Sequence, residues 1–315
     1  MKRILVVKLS SLGDLLHALP AVHRIRSALG AEVDWACHDV YRPLVERFEP
    51  VSRAISFPRK SLVRDGHAFL RELRTLEYDL ALDFQGLLKS ALVARAARVA
   101  RVIGPSFPRE GSRLFYDAVA GPRNKNRHAV EECLDTARYL GVPDSPVEFP
   151  IRIPPAVLED PRPRVGLLPC SRRPEKNWPV RRFAETARAL RDEVGSWLIL
   201  GGAADAGACA ELAGLIGGSA RNLCGQTTLI DLVGLIRALD LLVTVDSGPM
   251  HIAAAVETPT VAIFGPTDPV RTGPYGNIHR VVRPTTRMDD IPAEPVIEAV
   301  RQQLGANKRA GRAGT

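Results

Sequence analysis

ILVVKLSSLGDLLHALPAVHRIRSALGAEVDWAC, residues 4–37, decides how the rest of the chain is read. Ile4–Val7 is an unbroken apolar run, as expected of a strand buried on both faces. Leu15–Leu29 follows with helical spacing and carries Pro20 in its first turns. Val33–Cys37 is a second apolar run. Strand, helix and strand in that order make a βαβ unit, with parallel strands. The alternation continues with a strand at Asp79–Phe84, a helix at Leu87–Ala97 and a strand at Arg101–Ile103. Residues 141–163 (GVPDSPVEFPIRIPPAVLEDPRP) then hold seven prolines and little periodicity, which marks a linker.

Beyond that linker the pattern restarts. Strands are expected at Arg164–Leu168, Trp197–Leu200, Leu241–Val245 and Thr260–Phe264. Helices are expected at Val180–Val194, Asp205–Ile216, Leu229–Ala238, Gly248–Ala255 and Pro292–Leu304. The expected fold class is α/β, with two Rossmann-like, doubly wound domains facing across a cleft. They would span residues 1–150 and 151–290, and 291–315 would form a C-terminal helix and basic tail. Ligands of such sheets bind at the carboxyl ends of the strands.

Composition agrees with this architecture. The chain has 315 residues, 45% hydrophobic and 25% charged, the balance of a globular protein rather than a disordered, collagenous, coiled-coil or membrane-bundle chain. At roughly 100–200 residues per domain, two domains fit the length. The five cysteines are scattered and form no C-x-x-C pair, which argues against a disulfide framework or a structural zinc and fits a reducing cytoplasm. Lys8 and Asp14 interrupt the apolar N-terminus, and no adequate stretch for a membrane-spanning helix follows. A soluble cytoplasmic protein is expected, attached at most to a membrane surface.

Charge is the unusual quantity: 43 Lys+Arg against 35 Asp+Glu, a formal +8. Residues 1–150 carry 23 bases and 18 acids, a net +5. Arg53, Arg59, Lys60 and Arg64 form one acid-free window, and Lys89, Arg95, Arg98, Arg101, Arg109 and Arg113 another with Glu110 alone. The tail contributes Arg301, Lys308, Arg309 and Arg312 without an acid. Such clustering favours an anionic partner for the first domain. Nucleic acid is not expected, because aromatics are only 5% and never alternate with bases as a stacking platform would.

Four loops after expected strands have compositions suited to chemistry. Ser10-Ser11-Leu12-Gly13-Asp14 places an acid where a helix begins; a helix cap and a general base are both open for Asp14. Gly13 admits close approach to the backbone. Gln85-Gly86-Leu87-Leu88-Lys89-Ser90 puts polar groups at a strand end, as a substrate contact or a turn. Residues 170–178 (CSRRPEKNW) gather Arg172, Arg173 and Lys176 before a helix, the makings of a phosphate site. Asp246-Ser247-Gly248-Pro249-Met250-His251 opens another helix, whose free N–H groups suit a diphosphate. No G-x-G-x-x-G occurs after the first strand, so a dinucleotide site is not expected there.

The strings ILVVKLSSLGDLLHALPA, LDFQGLLKSA, RRPEKNWP, VDSGPMHIAAA and FGPTDP, in this order from residue 4 to residue 269, resemble the bacterial heptosyltransferases, glycosyltransferase family nine. LDFQGLLKSA favours the heptosyltransferase I branch. The resemblance implies a glycosyltransferase B-type fold, with residues 1–150 binding the acceptor and 151–290 the donor. It implies ADP-heptose as donor and Kdo of lipid A as acceptor, in lipopolysaccharide inner-core synthesis. Transfer would invert the anomeric centre without metal or cofactor, at the anionic inner leaflet of the cytoplasmic membrane. Carried over residue by residue, Asp14 matches the catalytic base and Lys176 the group that stabilises the leaving diphosphate. Ser171, Lys176, Asp205, Asp246, Ser247, Gly248 and His251 fall in the donor site. Ser11, Gly13, Arg59, Lys60, Arg64, Gln85, Lys89 and Arg109 fall on the acceptor side.

Two positions depart from the family pattern. Cys170 and Ser171 stand where two threonines are usual. Asp205 stands near where a ribose-contacting glutamate is expected. Other readings are a heptosyltransferase II-like enzyme with another acceptor, a nucleotide-sugar epimerase of similar fold, and a non-catalytic anion-binding module.

Overall fold

A computed structural model describes residues 2–124 and 126–309. The chain divides into two compact units, Met1–Arg152 and Ile153–Thr315. In the first, strands β1 (Arg3–Val7), β2 (Glu32–His38), β3 (Arg53–Phe57), β4 (Glu77–Asp83), β5 (Arg98–Pro105) and β6 (Ala118–Ala120) form one sheet. Its order is β3-β2-β1-β4-β5-β6 and every pair is parallel. Helices α1 (Leu12–Leu29), α2 (Arg42–Val45), α3 (Leu62–Leu73), α4 (Leu88–Ala96) and α5 (Ala129–Tyr139) make the crossovers and flanks.

The second unit repeats the plan. Its strands are β7 (Arg164–Leu168), β8 (Ser196–Ile199), β9 (Ala220–Asn222), β10 (Leu241–Val245), β11 (Thr260–Ile263) and β12 (Arg280–Val282). They lie in the order β12-β11-β10-β7-β8-β9, again all parallel. Helices α6 (Val180–Ala189), α7 (Ala206–Ile216), α8 (Leu229–Ala238), α9 (Gly248–Ala255), α10 (Pro269–Thr272) and α11 (Glu294–Arg309) complete it. Counted within each unit, both sheets have the Rossmann order, 3-2-1-4-5-6. The order reverses between the first and fourth strands, and such switch points hold ligands. Here they lie between β1 and β4, and between β7 and β10.

The central strands obey their sequence. Ile4–Val7 and Leu241–Val245 are buried throughout because helices cover both faces of a parallel sheet. Helix α1 begins at Leu12, three residues before the expected start, because Ser11 is its N-cap. It ends at Gly30, which adopts the left-handed conformation (φ 57°) and donates its N–H to the Arg26 carbonyl. Pro20 stands in the middle of α1 rather than in its first turns.

Four strands were not expected from the sequence: β3, β6, β9 and β12. The last three have only three residues each and lie on sheet edges. β3 contains Arg53, a member of the first acid-free basic window. Its guanidinium is spent on Asp34 at 2.6 Å and on the Tyr78 hydroxyl at 3.0 Å. The proline-rich segment is anchored in its middle. Ile151 pairs with Phe48, and the Ala156 N–H donates to the Gly234 carbonyl. Helix α11 continues past Leu304 to Arg309, and residues 310–315, with Arg312 of the expected basic tail, lie outside the described residues. Among the described residues, no helix is long and apolar enough to cross a membrane.

One glycine shows how tightly the first unit is packed. A Cβ at Gly104 would stand 2.1 Å from the Tyr116 ring, whose hydroxyl donates to Asp83 at 2.6 Å. Gly104→Ala is therefore expected to lower stability by about 1–3 kcal/mol through overpacking. A denaturant melt with an unchanged midpoint would contradict this packing.

Candidate active site

The end of β1 and the end of β4 are laced together across the first switch point. The Leu9 and Ser10 N–H groups donate to Gln85 Oε1 at 3.1 and 3.2 Å. Lys8 Nζ donates to the Phe84 carbonyl at 2.7 Å. Asp83 holds the β4 side: it accepts from Gln85 N–H, Gly86 N–H, Ser90 Oγ and Tyr116 Oη at 2.6–3.2 Å. Gln85, expected to touch substrate, thus has its carbonyl oxygen committed to fixing the Ser10 loop.

That loop delivers Asp14. The carboxylate lies in the first turn of α1, where Oδ2 accepts from the Ser11 N–H at 2.9 Å and the Ser11 hydroxyl at 2.7 Å. Asp14 is the third helical residue reaching back to the N-cap, as in a capping box, and not the cap itself. Ser11 spends both donors on it. Gly13 is a buried, helical residue of the same turn. Oδ1 stands 3.8 Å from Lys8 Nζ, and the Asp14 side chain is 44% exposed. Burial alone would raise its pKa. Lys8, the two Ser11 donors and His17 outweigh this and hold the carboxyl below the usual carboxylate range.

Beyond β2, β3 and β4 the cations converge. Lys89 Nζ lies 3.5 Å from His38 Nε2 and over the Phe57 ring. Burial, Lys89 and Arg59 push His38 down to about 4, and burial and Arg59 also lower Lys89. These groups crowd one another in a way that an anion would relieve. Arg59, Lys60 and Arg109 are exposed and carry no acid partner among the described residues, whereas Arg64 is paired with Asp65 at 2.9 Å. Arg109 is tied through its backbone, whose N–H donates to the Gly86 carbonyl at 2.8 Å and to the Ser112 hydroxyl at 3.2 Å.

At the second switch point, Lys176 Nζ donates to Asp246 Oδ2 at 2.6 Å, with the two side chains 14% and 8% exposed. Thr267 Oγ1 donates to the same oxygen at 2.6 Å. Thr267 belongs to FGPTDP, and no local sequence pattern links it to Asp246, 21 positions away. The Ser171 N–H donates to Asn177 Oδ1 at 2.7 Å and closes the loop that presents Lys176. Arg173 is occupied by Glu175. Ser247 caps α9 by position but not by a side-chain bond. Gly248 and Pro249 are its first two residues, and His251 is buried in its first turn. The start of α9 thus keeps N–H groups for an anion beside Lys176.

Asp205 accepts the Gly202 N–H at 2.8 Å. Burial and neighbouring Asp205 push the Cys170 thiol up to about 11. The two positions that depart from the family pattern therefore influence each other electrostatically. Among the described residues, no three His, Cys, Asp or Glu side chains are grouped to hold a metal ion.

The chain is thus built from two Rossmann-type units, each with charged side chains gathered at its switch point. The family profile of glycosyltransferase family 9 (heptosyltransferase) matches residues 66–292. Lipopolysaccharide heptosyltransferase 1 of Pseudomonas aeruginosa is 32% identical over 297 residues, 87% of this chain and 81% of the relative. The E. coli heptosyltransferase WaaC, solved with ADP, has a TM-score of 0.85 at 27% identity, covering 96% of this chain and 99% of that one. The E. coli ADP-heptose lps heptosyltransferase II has a TM-score of 0.84 at 27% identity, covering 98% and 100%. The chain belongs to glycosyltransferase family 9, the heptosyltransferases.

Proposed function

We propose that the enzyme transfers L-glycero-D-manno-heptose from ADP-heptose to a Kdo sugar of lipid A, in lipopolysaccharide core synthesis. The first unit takes the acceptor and the second takes the donor. The observation that carries this reading is the division of chemistry between the two switch points. One presents a carboxylate held charged, and the other an ammonium beside an open helix start.

The reaction is an inverting displacement that needs no metal. The acceptor hydroxyl oxygen bonds to the anomeric carbon, its proton passes to Asp14, and the bond from that carbon to the diphosphate oxygen breaks. ADP leaves with the electron pair. Charge grows on its phosphates as the bond lengthens, and Lys176 and the first N–H groups of α9 stabilise it. Ser171, Ser247, Gly248 and His251 line the donor side, and Asp246 holds Lys176 in place. Asp205 serves the nucleotide through the loop at Gly202. A base held this acidic is weak, so its contribution is greatest when the leaving bond is largely broken before the proton moves.

Kdo and the lipid A phosphates are anionic, which suits the cations around Lys89. Ser11, Gly13 and Gln85 border Asp14 on that side, and Arg59, Lys60, Arg64 and Arg109 extend the positive surface. Val40, Val63 and Leu114 are exposed apolar residues. They follow β2, β3 and β5 and so share the carboxyl end of the sheet with those bases. This mixture supports peripheral contact with an anionic inner leaflet. Changing Arg59 and Lys89 together to alanine is expected to raise the acceptor KM about tenfold or more, as lost bonds to a charged group would. ADP affinity should stay unchanged, and equal weakening of both would remove the acceptor role.

The test of function is an acceptor comparison. Purified enzyme and ADP-heptose are offered Kdo-bearing lipid A and, separately, the same lipid already carrying one heptose. Transfer to the first alone is expected. Transfer to the second alone would establish a heptosyltransferase II-like enzyme instead.

A further inference from the structure

Lys8 is a buried cation for which the reaction above has no use. Its side chain is 6% exposed. Its backbone is pinned on both sides: the Lys8 N–H donates to the Ala36 carbonyl at 3.2 Å, and the Trp35 indole N–H donates to the Lys8 carbonyl at 3.2 Å. A lysine ammonium has three N–H donors. The Phe84 carbonyl takes one at 2.7 Å, and Asp14 Oδ1, at 3.8 Å, is its paired acid. An ammonium in such a place is costly unless it is matched by an acceptor and an opposite charge.

The two oxygens of Asp14 differ in consequence. Oδ2 is saturated by the Ser11 N–H and hydroxyl. Among the described residues Oδ1 has the longer contact to Lys8 alone, which leaves it open to an acceptor hydroxyl. We propose that Lys8 is a positioning residue for Asp14: anchored on the Phe84 carbonyl, its ammonium orients the carboxylate so that Oδ1 is the free, charged oxygen.

This rests on the reading of Asp14 as the base, and it explains a cost in that reading. The cation that orients the carboxylate also makes it a poorer proton acceptor. The other groups around it act less directly. His17 lies one turn along α1 and adds to the lowering. On α5, Cys133 feels both Lys8 and Asp14, burial holds its thiol at about 12, and Glu132 and Asp135 flank it. From the β4 side the Phe84 carbonyl meets Lys8 and the Gln85 amide oxygen meets the backbone of Leu9, while the Asp83 carboxyl at the strand end is spent on Ser90 and Tyr116.

The full-length enzyme with Lys8→Gln and with Lys8→Met tests this. Glutamine can keep the bond to Phe84 without the charge, and methionine removes both. Asp14 is titrated by 13C NMR of its labelled carboxyl, and kcat is measured against pH. Removing a cation at this distance should raise the Asp14 pKa by about 1–3 pH units in either variant. Because the carboxylate is still ionised between about pH 5 and pH 8 in the variants, kcat in that range should fall through lost orientation, with the donor KM unchanged. If Asp14 titrates as in the wild type in both variants, the proposal is overturned. If its pKa rises but kcat between about pH 5 and pH 8 is unchanged, Lys8 acts on the carboxylate as described and Asp14 is not the base.

Discussion

Asp14→Asn is expected to retain ADP binding and to lower turnover by about 10²–10⁴-fold, the usual worth of a positioned general base. Asparagine keeps an oxygen for the Ser11 donors, so the start of α1 survives. What it loses is the negative charge beside Lys8 and the capacity to take a proton. The wild type carries a matching signature. Because the Asp14 carboxyl is held below the usual carboxylate range, it stays ionised at every pH at which the fold is normally assayed. Its protonation therefore gives kcat no acid limb between about pH 5 and pH 8. The same shift makes Asp14 a stabilising group above its unfolded pKa, and that contribution fades only as pH falls through the lower folded value. Isothermal titration with ADP and a steady-state transfer assay on one preparation check the prediction. Near-normal turnover in the asparagine enzyme would reduce Asp14 to a helix-start residue.

Lys176→Met is expected to fail in two ways at once. Removing a preorganised charge at a developing anion lowers turnover by about 10²–10³-fold. It also leaves Asp246, 8% exposed, with Thr267 as its remaining side-chain donor among the described residues and no cation. Breaking a buried pair on one side costs about 3–5 kcal/mol of stability. ADP affinity should fall together with kcat if, as proposed, the ammonium serves the diphosphate in both the bound donor and the transition state. In the unliganded protein this ammonium is held by Asp246, so a donor must share it with that carboxylate. A variant that melts early but turns over normally would make Lys176 a purely structural partner of Asp246.

Much of the architecture is legible in the chain because parallel strands buried on both faces are continuous apolar runs. Ile4–Val7 and Leu241–Val245 declare themselves this way, and Ser247-Gly248-Pro249 announces α9. The edges do not. β9 (ARN) and β12 (RVV) are three residues long and partly solvated, and their pairing partners are what make them strands. β3 was obscured by Arg53, whose charge is cancelled inside the unit by Asp34, 19 positions earlier. The candidate site divides in the same way. Asp14 and Lys176 stand in local motifs and could be singled out from neighbouring residues. The groups that govern them could not. Gln85 reaches Ser10 across 75 positions, Lys8 reaches Phe84 across 76, and Thr267 reaches Asp246 across 21. Only the order of strands in the sheet brings them together. Lys8 was visible in the sequence merely as an interruption of an apolar run.

The most direct test of a single displacement, with Asp14 as base and Lys176 at the leaving diphosphate, is the stereochemistry of the bond made. Heptose labelled with 13C at the anomeric carbon is supplied as ADP-heptose, and the one-bond C–H coupling at that carbon is measured by NMR in donor and product. The new linkage should have the anomeric configuration opposite to the donor's. Retention of the donor's configuration would contradict the account.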